Sequence, residues 1–297
     1  MFTLDLAPLY SLQTQILNAD QLRSASTKQL RSLAQHQAWE FDLERLPYSL
    51  FTAKIAVENL IKAQQDLRTE ANRDDKVNQK TVWVLLAEQR YPMLVAIHSF
   101  LESARRTQDA LGRYISAALK IPLSASMADI VKKIEQEAIS LPKDLSHLIL
   151  SYWHYSGRQL KDYRDLALHY AVVGSNSYLF LAETGETVIY FLLPNNPEIK
   201  NVSKLTYGSP PIHAYEYVAT RFFDLYELVY RACYMLSQSL GPAQGRSYSP
   251  GLRSPLSSDL CGLPIPTIEN WHQSIESLAT DLKKELPFLE RREASSI

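Results

Sequence analysis

The segment MLVAIHSFLESARRTQDALGRYISAAL, residues 93–119, decides the fold class. Leu94, Ile97, Leu101, Ala104, Gln108, Leu111, Ile115 and Ala118 recur in steps of three and four residues, so they share one side of an α-helix. A stripe of that length needs matching faces on other helices to bury it. Gln108 is its polar exception. The same rhythm continues outward. Ser126-x-x-Asp129 has the form of a capping box, opening a short helix with Met127, Ile130, Val131, Ile134 and Ala138 inside, and Pro142 closes it. Asp144 then opens an aromatic-rich helical segment, Leu145 to Val173, whose expected buried residues are Leu148, Tyr152, Tyr163, Leu166, Tyr170 and Val173. A last strong helix from about His213 to Leu240 carries Val218, Phe222, Leu225, Val229, Cys233 and Leu236 at helical spacing.

Thr27 to Leu46 and Tyr48 to Thr69 read as two helices parted at Pro47, with the polar run Arg68 to Lys80 as a loop. Two β-rich runs, Tyr178 to Ala182 and Thr187 to Leu193, flank Glu183-Thr184-Gly185-Glu186 and predict a hairpin over about 178–193. Both of its faces are apolar, so the helices or a second subunit must cover it. The stretch 241–267, rich in Pro, Ser and Gly, reads as a linker. It leads to a terminal amphipathic helix over 268–297, with Ile275, Leu278, Leu282 and Leu286 on one side. The expected organisation is therefore an N-terminal helical extension (1–80), a mainly α antiparallel bundle with an inserted hairpin (81–240), the linker, and the final helix.

Composition narrows the functional classes. Of 297 residues, 46% are hydrophobic and 21% charged, and 31 basic side chains against 32 acidic ones leave a net charge of −1. Such a balance cannot coat nucleic acid by bulk attraction, so any such contact must be local. Cys233 and Cys261 form no C-x-x-C pair, which points away from a disulfide framework or a structural zinc. The start Met1-Phe2-Thr3-Leu4-Asp5 has no signal-peptide pattern, and no run is long and apolar enough to span a bilayer. The expectation is a cytoplasmic protein without a membrane partner. With nine glycines, the sequence has neither G-x-G-x-x-G nor a loop ending in Gly-Lys-Ser/Thr, which weighs against the nucleotide-binding α/β folds, and no cofactor is implied.

The densest polar constellation is Arg158-Gln159-Leu160-Lys161-Asp162-Tyr163-Arg164-Asp165-Leu166-Ala167-Leu168-His169. On a helix, Arg158, Lys161, Asp162, Asp165 and His169 share one face and Tyr163, Leu166 and Tyr170 the opposite one. Asp165 lies four residues before His169, so its carboxylate is placed to bond the imidazole and fix its tautomer. Arg164 projects from the flank of the polar surface. A protonatable ring beside a permanent cation is what phosphodiester cleavage without metal requires: one moves a proton, the other stabilises charge on the phosphoryl group.

The run Arg164-Asp165-Leu166-Ala167-Leu168-His169 resembles the arginine, four-to-six-residue spacer and histidine of the HEPN (higher eukaryotes and prokaryotes nucleotide-binding) ribonucleases. The helix Ser99 to Leu111 is similar to that family's first long bundle helix, and the resemblance covers about Thr81 to Leu240. It implies a helical bundle that forms a homodimer so that two motif copies line one cleft. It also implies Arg164, Asp165 and His169 in catalytic positions and RNA as substrate; the alternative is a catalytically silent module that holds a nucleotide or a protein partner in the same cleft, as one half of a toxin–antitoxin pair or in a defence system, with an antitoxin or regulatory protein as the partner. Position 171 is Ala171 where one variant of the motif has a tyrosine, so a nucleotidyl-transfer target of that kind is not indicated.

Each chemical reading has a plainer counterpart. Arg164, Asp165 and His169 could be a salt-bridged surface, in which case the bundle is a catalytically inactive binding or dimerisation module. Arg106, Arg113 and Lys120 recur every seven residues and, with Arg158 and Lys161, are candidates for RNA contact, although a solvated helix face has the same pattern. His147 and His154 lack a third metal ligand. Glu102 and Asp109 are candidates for an acidic pair near the cleft. Arg31-Ser32-Leu33-Ala34-Gln35-His36 also fits the bare spacing but has no adjacent acid. Tyr152, Trp153 and Tyr155, just before the motif, suit base stacking or a packed seam.

Overall fold

The stripe over 93–119 lies on a helix that runs from Ala87 to Leu119, here α2, and all eight of its positions are buried. The computed structural model describes residues 4, 6, 9–13, 15–16, 33–73, 83–84, 87–123, 126–173, 176–181, 187–208 and 211–240. The expected linker, the terminal helix over 268–297 and the Arg31 motif's arginine lie outside the described residues. Two compact units divide the chain, residues 31–232 and residues 1–30 with 233–297. In the smaller unit, Leu9, Leu12 and Ile16 are buried.

The larger unit is mainly helical. Helix α1 (Leu33–Arg73) packs along α2. Pro47 does not part it, contrary to the sequence expectation, and the helix also continues past Thr69 into the supposed loop. Proline removes one backbone donor, but Leu46 and Leu50 on either side of it are fully buried, and that burial holds both halves in one line. Helices α3 (Met127–Glu135), α4 (Lys143–Tyr152), α5 (Arg158–His169) and α6 (Ala214–Leu240) complete the helical set. Helix α6 begins one residue after His213 and buries all six positions expected of it.

Two local expectations are corrected. Ser126 stands at the N-cap of α3, but its side chain makes no cap bond. The capping role falls to Asp109 of α2, whose Oδ1 accepts the Met127 N–H at 2.9 Å, while Ser126 Oγ accepts from Arg105 Nη2 at 3.1 Å. Ala138, beyond the end of α3, is exposed, and so is Tyr170 after α5.

The strands form a four-stranded antiparallel sheet in the order β1 (Trp83–Val84), β2 (Asn176–Leu181), β3 (Thr187–Leu193), β4 (Ile212–His213). The predicted hairpin is β2–β3, with Tyr178 opposite Tyr190 and Asn176 opposite Leu192. The two short outer strands were not legible in the sequence. Phe191, Leu192 and Leu193 are all buried, so both faces of β3 are covered, and α1 is one of the elements packed on it.

The long segment after Asp144 is almost continuously helical, but Trp153–Gly157 forms a π-helical turn in which the Arg158 N–H reaches the Trp153 carbonyl, five residues back. Tyr152, Ser156 and Leu160 are buried at two successive four-residue steps. On a regular α-helix those steps would drift by about 80°, and the wider turn absorbs that drift. Gly157 is needed here because a Cβ would lie 2.7 Å from Tyr152 Cε1 and 3.0 Å from Trp153 Cε3. The Tyr152 ring cannot retreat, since Gln108 Nε2 donates to its hydroxyl at 2.9 Å and to the Gly157 carbonyl at 3.3 Å. Gln108 Oε1 in turn accepts from Arg105 Nη1 at 3.1 Å, so the polar exception in the α2 stripe is fully satisfied inside the core. Gly157→Ala is therefore expected to lose about 1–3 kcal/mol to overpacking, less at most ~1 kcal/mol of gained helix propensity. A lowered urea midpoint measures this, and an unchanged midpoint would refute the tight contact.

Candidate functional site

Helix α5 is two-sided, as the sequence predicts. Leu160, Tyr163 and Leu166 are buried, and Arg158 and His169 are exposed with Lys161, Asp162, Arg164 and Asp165 half-buried. Tyr163 anchors the inner side: its hydroxyl donates to the Pro194 carbonyl and its ring meets the Tyr217 ring of α6 edge-on at 4.7 Å.

The charged side chains form one connected cluster between α5 and α2. Arg164 Nε donates to Glu102 Oε2 and Arg164 Nη1 to Asp165 Oδ1, each at 3.1 Å. The other Glu102 oxygen accepts from Arg106 Nε at 3.1 Å. Lys161 Nζ lies 2.7 Å from Asp165 Oδ2 and 3.7 Å from Asp162 Oδ1. Burial alone would lower the pKa of Arg164, but the Asp165 and Glu102 carboxylates outweigh it and hold the guanidinium more firmly charged than usual. For Asp165, burial pushes upward, and the bonds from Lys161 and Arg164 overcome it, so its pKa falls. Asp162 goes the other way. Burial raises it despite Lys161 and Arg158, with the charges of Asp165 and Glu198 adding to the rise.

The expected Asp165–His169 hydrogen bond is not made. Both Asp165 oxygens are committed to Lys161 and Arg164, and among the described residues the His169 ring meets the Tyr170 ring, at 5.9 Å between centroids. A lysine four residues earlier and the adjacent arginine are stronger partners for a carboxylate than a neutral imidazole. Arg164 and His169, five residues apart, leave the helix about 140° from each other. Arg164 leans onto α2 and His169 stands at the open end of α5.

The remaining candidates are dispersed. Arg106 is exposed and paired to Glu102, Arg113 is half-buried, and Arg158 is exposed. His154 Nε2 lies 3.1 Å from Glu135 Oε1, and His147 Nδ1 lies 3.5 Å from Ser151 Oγ. Among the described residues, no group of three or more His, Cys, Asp or Glu is gathered as a metal site requires. Asp109, committed to Met127 and Arg105, has a pKa raised by burial against those two partners. Among the described residues, no helix is long and apolar enough to cross a membrane.

Sequence reasoning missed two features next to this surface. The first is a triangle in which Ser156 Oγ donates to Asp224 Oδ2 at 2.7 Å and Arg221 Nη1 donates to both, at 3.0 and 2.7 Å. Arg221 also lies over the rings of Tyr155 and Tyr217, at 5.1 and 5.4 Å. The second is His98 on α2, one helical turn before Glu102. Its ring bonds the Val173 carbonyl, while Nε2 is buried with no partner among the described residues. Burial lowers its pKa against that bond, so the fold holds the ring neutral. Below the ordinary histidine value of about 6.5 the unfolded chain takes up a proton that the fold resists, and stability falls with falling pH. His98→Gln is therefore expected to show a shallower loss of urea midpoint than the parent between neutral and mildly acid pH. Identical slopes would remove His98 from the account.

No family model, curated protein or solved structure matches this chain significantly.

Proposed function

We propose that the chain is a metal-independent endoribonuclease whose working groups are Arg164 and His169. The observation that carries this reading is the contrast between them. Arg164 is fixed by two carboxylates yet spends only two of its five N–H donors on them, while the His169 ring is exposed and its nitrogens have no hydrogen-bond partner among the described residues. A held guanidinium can orient a phosphate, and an uncommitted imidazole can accept or return a proton. In the reaction, the ribose 2′-oxygen attacks phosphorus as its proton leaves, the P–O5′ bond breaks, and O5′ receives a proton. The products are a 2′,3′-cyclic phosphate and a free 5′-hydroxyl. His169 carries one of the protons, and Arg164 stabilises the added charge on the phosphoryl oxygens. Asp165 and Glu102 act on Arg164 and not on the imidazole. The 140° divergence within one chain fits a cleft completed by a second copy, and a HEPN-like homodimer is the proposed assembly. A cytoplasmic location and control by an antitoxin or other regulatory protein belong to the same proposal.

The test uses the full-length chain. Single-stranded RNA is expected to be cut in EDTA, and its 2′-O-methyl counterpart to stay intact. An inactive binding module is the second reading, favoured by the full commitment of Asp165 and the charge balance around Arg164. Failure to cut any RNA in EDTA would select it.

A further inference from the structure

We propose that Tyr155, seated on Arg221, is a base-stacking platform for single-stranded RNA. This rests on the ribonuclease reading and names where the substrate strand lies. Tyr155 projects from the π-helical turn and is 71% exposed, although it is a large aromatic side chain. The Arg221 guanidinium lies 5.1 Å from its ring centroid, and the described structure gives Tyr155 no other partner. Arg221 is itself immobilised: its side chain is only 16% exposed, Nη1 bonds Ser156 and Asp224, and the Tyr217 ring packs against it. Its Nε is buried with no acceptor among the described residues, a cost the fold tolerates in keeping a guanidinium at this spot. The result is a ring supported from one side and open to solvent on the other. Such a ring loses little freedom when a base stacks on it, and every base offers a π-face.

The position of the platform relative to the cluster specifies the ligand. Arg158, Asp162, Asp165 and His169 follow one another in steps of four, three and four residues along one side of α5, and Tyr155, in the wide turn, stands three residues before Arg158 with both side chains exposed. From Tyr155 to His169 the rise is about 20 Å. Exposed Arg158 lies one turn from the platform, and Lys161 offsets the charges of Asp162 and Asp165 along the way. A strand stacked at Tyr155 and running toward His169 meets the exposed Arg158 first and then carboxylates whose charge Lys161 offsets.

The experiment measures binding apart from cleavage. A short fluorescein-labelled 2′-O-methyl oligoadenylate, which cannot be cut by its own 2′-oxygen, is titrated with the full-length chain and followed by anisotropy. Tyr155→Ala is expected to weaken binding by about 5- to 150-fold, the equivalent of ~1–3 kcal/mol for one stacked base. Tyr155→Phe keeps the ring and should stay within about twofold of the parent. Equal binding by the parent and Tyr155→Ala overturns the platform, as does no binding by the parent. Loss of self-association in sedimentation with RNA binding intact also overturns it, by assigning Tyr155 to a protein seam. Cleavage of ordinary RNA is scored separately. Cutting without a Tyr155 effect on binding sinks the platform alone, and Tyr155-dependent binding without cutting sinks the nuclease alone.

Discussion

His169→Ala is expected to lower cleavage of single-stranded RNA by about 10²–10⁴-fold, the usual worth of a positioned proton carrier. The same change should leave the unfolding free energy within ~0.5 kcal/mol of the parent, because the ring is exposed and among the described residues meets just the Tyr170 ring. Arg164→Ala is expected to cost about 10²–10³-fold through lost charge stabilisation. Asp165→Ala should act more mildly, since Asp165 holds Arg164 and Lys161 and makes no bond to the imidazole. That order, with His169 and Arg164 well ahead of Asp165, distinguishes this site from one in which the acid orients the histidine. Initial rates on a labelled oligonucleotide in EDTA, with urea melts of each variant, give both readouts. A His169→Ala protein that cuts at the parental rate would end the assignment.

The largest loss of stability is expected from Asp224→Ala, at about 2–4 kcal/mol. Breaking a fully buried ion pair costs about 3–5 kcal/mol because the surviving charge is stranded. The figure is reduced here because the Arg221 and Asp224 side chains are 16% and 20% exposed. Removing the carboxylate leaves the guanidinium and the Ser156 hydroxyl without their acceptor. Asp224→Asn retains an acceptor oxygen and should recover part of the loss. Denaturant titration measures both, and a change below about 0.5 kcal/mol for Asp224→Ala would show that the triangle bears no weight.

The parts of the fold that could be read in advance are those in which burial repeats at a fixed interval. All eight stripe positions of α2 and all six of α6 are buried, and the β2–β3 hairpin pairs over the expected strands, because each signal lies within one element. Where partners are remote the sequence was silent. Ser156 meets Asp224 68 residues away and Arg221 65 away, and no local pattern announces either contact. Asp109 replaces Ser126 as the α3 cap for the same reason: a neighbouring helix brings a carboxylate to the exposed N–H. Pro47 shows tertiary burial overriding a local breaker. At the candidate site, the sequence correctly separated the polar and apolar sides of α5, but it paired Asp165 with the wrong neighbour. Spacing names several residues within reach of a carboxylate, and relative charge decides among them.

The π-helical turn at Trp153–Gly157 holds one residue more than a regular helix needs between its buried flanks. Deleting a single residue there would leave Leu160 seven positions after Tyr152, and seven regular steps return within about 20° of the starting direction, so the helix downstream would keep its phase. Leu160, Tyr163 and Leu166 would stay inward, whereas an added residue would turn them by about 100° toward water. The connection over 194–208, braced by Asn195 and Asn196, has no helical phase to preserve, so a one-residue change in its length would be absorbed locally. Natural or engineered insertions in this chain should accordingly cluster in such connections, while the wide turn is a place where the helical segment can lose one residue and keep its buried side.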